Sequence, residues 1–280
     1  MSFSSEVKAE LGRQYGRDRH CQLAELAAIV ELGGRHSEGT LSMAADNTLL
    51  AEKYAVLMKR AFAVDVKERL SDEDCERVSA ALRLDTKEQR LLVQHTCCRR
   101  AYIRGAFMAA GSISDPSKSY HFEIVCRNER QAKLLQELMN SFGTDAKIVE
   151  RKRHPVVYLQ EGAQIVDILS VMEAHVSLMN LENVRILKEM RNTVNRKVNC
   201  ETANINKTVS ASVRQIENIR KIQNTIGFDG LSAPLREMAR LRLEYPDATL
   251  KELGAYLDPP VGKSGVNHRL RKLSLLAEDL

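Results

Sequence analysis

Apolar and polar positions follow one pattern twice over the first 180 residues. Residues 21–32 form an apolar, Ala-rich block; extended residues 40–45, a helical stretch at 48–62 and β-like runs near 64–70 and 78–84 follow. The order is helix, strand, helix, strand, strand, with room for a further strand before the middle helix. In the second copy a helix ends at Ala110, and a strand at 120–127, a helix at 129–142, strands at 146–151 and 155–159, and a helix from Ala163 follow. Two such units place helices on one face of an antiparallel sheet, and their leading helices can pair across a pseudo-twofold axis. The expected class is therefore α+β, a duplicated αββαββ domain over residues 1–184.

The leading helices read LAELAAIVELGG and AYIRGAFMAAGSI, and they close on Gly33-Gly34 and Gly111. Small side chains let two backbones come close, and a closing glycine permits a left-handed turn. A buried Ala-rich core helix with no further role accounts for either stretch taken singly.

Beyond residue 184 the pattern changes. Ile205, Val209, Val213, Ile216 and Ile219 recur at helical spacing, so residues 185–225 are expected as an amphipathic helical connector. Residues 226–280 are expected to be all-α. Ser232 and Pro234 open a helix that Pro246 ends, and Thr249 with Glu252 forms a capping box that opens a short helix. A turn at 258–262 follows, then a last helix with Ser264 as its expected N-cap. At 100° per residue Leu270, Leu273 and Ala277 lie within about 40° of Val266, which gives that helix its core face. Ser264, His268 and Arg271 point the other way, flanked by Asn267 and Lys272, with Lys263 just before the helix.

Helix, capped helix, turn and basic helix is the helix-turn-helix order, in which the last helix enters the major groove. Arg can pair with guanine and Asn with adenine, while Lys and Ser hold phosphate oxygens. The candidate DNA-binding residues are thus Lys263, Ser264, Asn267, His268, Arg269, Arg271 and Lys272. Gly262-Lys263-Ser264 is no phosphate loop, because that motif needs glycine where Leu257 stands.

Charge sharpens this picture. Residues 1–184 carry 25 Lys+Arg against 26 Asp+Glu, and residues 226–280 carry 8 of each, whereas residues 185–225 carry 9 against 3. The excess of +5 is thus concentrated in the connector, where Arg196, Lys197, Lys207 and Arg214 are candidate secondary phosphate contacts. Solvated charges on a helix face are the alternative. With 44% hydrophobic and 28% charged residues, the chain has the composition of a folded protein. No apolar run is long enough for a spanning helix or signal peptide, so a cytoplasmic, nucleoid-associated protein is expected. The six cysteines contain no C-x-x-C pair and read as reduced core thiols, with neither a metal site nor a disulfide framework, and no cofactor is expected.

Residues 26–34, LAAIVELGG, and 103–111, IRGAFMAAG, lie 77 positions apart and resemble the nine-letter LAGLIDADG signature of homing endonucleases. The resemblance implies an acid at the eighth letter of each copy, binding divalent metal at the scissile phosphate. Gly33 and Ala110 stand there, with no side-chain oxygen, and catalytic residues are therefore expected to be none. The start MSFSSEVKAEL, these two altered motifs, NCETANINKTVSASVRQI at 199–216 and TLKELGAYLDPPVGKSGVNHRLRKL at 249–273 together resemble the WhiA family of Gram-positive bacteria. That resemblance implies a transcription regulator concerned with cell division and chromosome segregation, and with sporulation in some relatives. It further implies that the tail recognises promoter DNA and that the nuclease-like domain binds DNA or a protein partner. An Ala-Gly helix pair already used within one chain gives no reason for a second copy, so a monomer is expected. Two alternatives stay open: an endonuclease with relocated acids, Glu31 and Asp115, and a protein-interaction scaffold with incidental DNA binding.

Overall fold

The computed structural model describes residues 2–37, 40–43, 48–66, 71–84 and 87–280. Contacts divide the chain into two units that meet inside one helix, the first ending at Glu189 and the second starting at Met190.

The first unit opens with α1 (Phe3–Gly12), capped by the Ser2 hydroxyl, which accepts from the Ser5 amide. Next come α2 (Arg19–Gly33), β1 (Gly34–Ser37), β2 (Thr40–Met43), α3 (Thr48–Phe62), α4 (Asp72–Leu82) and a 3-10 helix at Lys87–Val93. The second copy contributes α5 (Thr96–Ala110), β3 (Gly111–Ile113), β4 (Phe122–Val125), α6 (Glu129–Asn140), β5 (Lys147–Arg151), β6 (His154–Leu159) and α7 (Gly162–Val171). Helix α8 (His175–Thr225) runs on into the second unit, which adds α9 (Ala233–Glu244), α10 (Leu250–Ala255) and α11 (Lys263–Glu278). None of the described helices is long and apolar enough to cross a membrane.

Helices α2 and α5 are apolar nearly all round and accordingly buried, packing against each other more extensively than any other pair of elements. Small residues set the distance. A Cβ on Gly105 would sit 2.4 Å from the Glu25 carbonyl oxygen and 3.2 Å from the Ala28 Cβ, so only glycine fits where the helices cross. The closing glycines act otherwise than expected. Gly34 and Gly111 have φ of −75° and −90°, extended rather than left-handed. They are required by crowding instead: a Cβ on Gly34 would meet the Val30 carbonyl oxygen at 2.5 Å, and one on Gly111 the Phe107 ring at 2.2 Å.

Strands β3 to β6 form an antiparallel sheet in the order β3-β4-β6-β5, with Ile124 paired to Gly111 on one side and Val157 on the other. Phe122 on β4 stacks on Phe107 of α5 at 5.3 Å, and α6 contributes Leu134, Leu135, Leu138 and Met139 to the same core. Asn128 caps α6 by accepting from the Gln131 amide at 3.0 Å.

In the first copy β1 and β2 pair antiparallel, and β1 occupies the room left for a further strand. The expected strand at 78–84 is instead the end of α4. Its alternating Val78, Leu82 and Leu84 suggested a strand, but Cys75, Val78 and Leu82 also lie three and four residues apart and bury one helical face, with Ser71 as N-cap. Of the run expected at 64–70, residues 67–70 lie outside the described residues, as do 44 and 45 of the earlier one.

In the second unit, Ile219 and Ile222 of α8 share a core with Leu231, Met238, Ala239, Leu253 and Leu257 and with four residues of α11. Only the end of the connector is covered in this way. Ile205, Val209 and Val213 are 61%, 54% and 48% exposed although Ser212 between them is buried against Pro246, so the second unit packs on a different face of α8 from the one these three form.

Candidate nucleic-acid interface

Val266, Leu270, Leu273 and Ala277 of α11 are all buried, so the opposite face of the helix is turned outward. Lys263, Ser264, Asn267, His268, Arg271 and Lys272 are exposed and Arg269 is half-buried. The helix starts earlier than expected: Gly262, not Ser264, is the N-cap, and its carbonyl accepts from the Val266 amide at 3.1 Å. Ser264 therefore lies inside the first turn. No side chain of the described residues caps this end, so first-turn amides are left to face an anion.

The turn before α11 is held by close contact. The Val261 amide donates to the Gly254 carbonyl at 2.9 Å, and a Cβ on Gly254 would lie 2.0 Å from the Val261 carbonyl oxygen. Helix α10 carries the expected capping box, with Thr249 N–H donating to Glu252 Oε2 at 2.7 Å and Glu252 N–H to Thr249 Oγ1 at 3.3 Å. Hydrogen bonding from Thr249, first from its backbone amide and then from its side chain, lowers the Glu252 carboxyl pKa from its ordinary value.

Arg242 joins α8 to this motif. Buried to 2% exposure, it donates from Nε to Gln215 Oε1 at 3.0 Å and from Nη1 to the Ala248 carbonyl at 2.6 Å. Burial lowers its pKa from the ordinary arginine value. Ser212 Oγ donates to the Pro246 carbonyl at 2.5 Å. Between these ties lies a groove of about 500 Å³ that brings Lys207 of the connector together with Lys263 and Asn267 of α11. Thr249, Lys251 and Arg242 also line it, and these three were not anticipated. Lys251 could have been found by placing α10 on a helical wheel; Arg242 could not, because it reads as an ordinary charge on α9. Arg196, Lys197 and Arg214 are exposed along α8 and are not among the groove's lining residues.

In the first unit, Gly33 and Ala110 end α2 and α5, both half-buried. Glu31 is 3% exposed and accepts from the Tyr102 hydroxyl at 3.0 Å, to which Gln89 donates at 3.2 Å. Burial, and then the Glu31 charge, push the Tyr102 phenol well above its ordinary pKa. Asp115 lies exposed between β3 and β4 and accepts from the Ser117 amide at 2.8 Å. Among the described residues neither acid belongs to a group of three or more side chains that could hold a metal.

One acid on α2 is engaged differently. Glu25 accepts from Lys53 Nζ at 2.7 Å and, bidentately, from Arg104 Nε and Nη2 at 2.9 and 3.0 Å, all three residues being buried. Burial opposes the Arg104 charge, but Glu25 and Glu173 outweigh it and raise its pKa above the ordinary value. Burial dominates at Lys53 and lowers its pKa. The residues that end the two motif helices thus offer no oxygen ligand, while the charged groups between the helices are spent on one another.

The thiols also depart from expectation, since Cys97 and Cys200 are exposed rather than core residues. His20, Cys21, Cys97 and Cys98 converge at the start of α2 and α5, all four ligand atoms lying within 4.8 Å of one another. Burial, followed by hydrogen bonding to Cys97, pushes the Cys21 thiol up to about 12.

Comparison with known proteins agrees with the two-unit division. The family model described as "WhiA LAGLIDADG-like domain" matches residues 99–191, and the one described as "WhiA C-terminal HTH domain" matches residues 194–277. A "Probable cell division protein WhiA" of Lachnoclostridium phytofermentans is 48% identical over 311 residues, covering 100% of this chain and 99% of that protein. One of the same description from Heliobacterium modesticaldum is 47% identical over 307 residues, covering 99% and 96%. Among solved structures, full-length DUF199/WhiA from Thermatoga maritima aligns with a TM-score of 0.62 at 22% identity, covering 100% of this chain and 99% of that one. The N-terminal LAGLIDADG domain of DUF199/WhiA aligns with a TM-score of 0.51 at 18% identity, covering 61% and 90%. These two structures share the fold.

Proposed function

The chain belongs to the WhiA family, and from that premise we propose that it is a sequence-specific, non-enzymatic DNA-binding regulator of transcription. Its relatives are described as probable cell division proteins, which supports a role in cell division, and the reading extends to chromosome segregation, with sporulation in some relatives. The protein works in the cytoplasm, on the nucleoid, as a single chain.

The observation that carries this reading is the outward, acid-free face of α11 beside a groove containing Lys207, Lys263 and Asn267. Asn267, His268 and Arg271 are assigned to base edges, and Lys263, Ser264, Arg269 and Lys272 to phosphates. The uncapped start of α11 adds amides for a phosphate oxygen. Lys207, which lines the groove, is assigned to a phosphate, and Arg196, Lys197 and Arg214, exposed along α8, are assigned to further phosphates. The non-enzymatic part of the reading rests on Gly33 and Ala110, which carry no oxygen ligand, and on the burial of Glu31. The first unit then serves as a folded body that binds DNA or a protein partner.

The test is genome-wide recovery of crosslinked DNA from cells making the full chain or the full chain with Asn267→Ala and Arg271→Ala. Both side chains are exposed, so the helical core is left intact. Discrete sites with a shared sequence that vanish in the variant support the reading. Diffuse recovery, or sites that survive unchanged, overturn the assignment to α11. A dimer in sedimentation equilibrium would overturn the single-chain unit.

A further inference from the structure

The two motif helices begin with the same kind of chemistry. The offset of 77 that aligns the two nine-letter motifs also sets His20 against Cys97 and Cys21 against Cys98, so each copy offers two adjacent nitrogen or sulfur ligands at the start of its helix. Packing of α2 against α5 then gathers all four.

From this convergence we propose that His20, Cys21, Cys97 and Cys98 form a closed, tetrahedral Cys3His site for one zinc ion, which staples the start of the first copy's helix to that of the second. The distances suit this. His20 Nδ1 lies 3.1 Å from Cys98 Sγ, 3.3 Å from Cys21 Sγ and 4.0 Å from Cys97 Sγ, so one ring nitrogen faces all three sulfurs. Ordinary zinc bond lengths in a tetrahedron give nitrogen–sulfur edges of about 3.6 Å and sulfur–sulfur edges of about 3.8 Å. The six ligand-to-ligand distances are all 4.8 Å or less, so small side-chain adjustments reach that geometry.

The donor set is that of zinc: a mixture of thiolates and imidazole excludes magnesium and calcium, which take oxygen. Binding releases three protons, one from each thiol, and leaves three thiolates and a neutral imidazole around a dication, with one net negative charge. That charge falls at the positive ends of two helices, where it is stabilised. The second nitrogen of His20, Nε2, lies 3.9 Å from Asp18 Oδ2, beyond hydrogen-bond distance, and a closer approach of that carboxylate would let it orient a zinc-bound imidazole. Cys21 and Cys98 are buried, while His20 and Cys97 are exposed and leave an entry path for the ion.

This site is at the opposite end of the helices from Gly33 and Ala110, and all four of its ligand positions are taken by protein. It is therefore structural, and it is independent of the DNA-binding reading.

The experiment is elemental analysis of the full chain purified under reductant without a metal-affinity step, followed by cobalt(II) substitution of the metal-stripped protein. About one zinc per chain is expected, with the strong visible bands and thiolate charge-transfer absorption of tetrahedral sulfur-ligated cobalt. His20→Ala and Cys97→Ser, at the two exposed positions, should each lower retained zinc at least about tenfold and alter the cobalt spectrum. Zinc absent from the purified chain together with weak, octahedral cobalt bands would overturn the proposal, as would zinc retained equally by both variants. A disulfide among Cys21, Cys97 and Cys98 in the reduced preparation would also overturn it. Should a variant fail to fold, the wild-type cobalt spectrum decides by itself.

Discussion

Replacing Glu25 with Gln keeps its shape and removes the one carboxylate shared by two buried cations. Lys53 and Glu25 are 0% exposed and Arg104 is 3% exposed, so solvent cannot compensate the loss. After the change Lys53 keeps the Leu11 and Gln14 carbonyls at 2.6 and 2.8 Å, and Arg104 keeps Glu173 at 2.9 Å. Lys53 loses its carboxylate, the one group that raises its pKa against burial, and Arg104 loses a bidentate partner. Breaking a buried pair from one side costs about 3–5 kcal/mol. For a unit of this size each kcal/mol lowers the unfolding midpoint by about 2–4 °C, so E25Q should unfold roughly 6–20 °C earlier. Lys53→Met removes a cation and leaves Glu25 bidentate on Arg104, and it should cost no more than about 3 kcal/mol. The double variant E25Q/K53M should cost less than the sum of the two, by at least about 1.5 kcal/mol. Urea and thermal unfolding followed by circular dichroism give these numbers, and hydrogen exchange of α2 and α5 localises the change to the first unit. An E25Q cost below about 1 kcal/mol, or strictly additive costs, would refute the claim that this acid ties the two copies together.

Arg271→Ala should weaken binding to a specific duplex by about 1–3 kcal/mol and relax the base preference; equal losses on specific and random duplex would remove Arg271 from the major groove. Lys207→Ala should weaken all duplexes alike and reduce the slope of log affinity against log salt by about 0.9, which a titration from low to moderate salt reads directly. Gly254→Ala places a methyl group on the Val261 carbonyl and should abolish specific binding while leaving hydrogen exchange in the first unit unchanged; retained specific affinity would show that the turn can move. Because the Glu252 carboxyl is held below the unfolded carboxylate value of about 4.3, its stabilisation is full above that pH and is lost as pH falls through the lower folded value. Acid unfolding of the second unit should therefore be steeper in the wild type than in Glu252→Gln, and identical profiles would remove the capping box from the stability of the motif.

Wherever neighbours along the chain decide the outcome, the residues of this protein were legible in order. The capping box at Thr249 and Glu252, the buried stripe Val266, Leu270, Leu273 and Ala277, and the start of α3 at Thr48 follow from periods of 3.6 and from local hydrogen bonds. The duplication, and the loss of oxygen ligands at Gly33 and Ala110, follow from the motif spacing alone. The alternation of residues 78–84 satisfies a strand locally, and only packing of Cys75, Val78 and Leu82 into the core selects a helix. Helix α11 is capped two residues before Ser264 although a serine is the better cap in isolation, because the approach of Val261 to Gly254 sets the chain's entry. What tertiary structure alone decided is which distant groups share a space. Glu25 meets Arg104 from 79 positions away, Lys207 meets Lys263 across a groove, and two adjacent pairs 77 residues apart close on one point. Spacing along a chain reports neighbours within a few residues; the convergence of side chains from separate helices depends on how closely those helices pack, and here glycine and alanine set that distance.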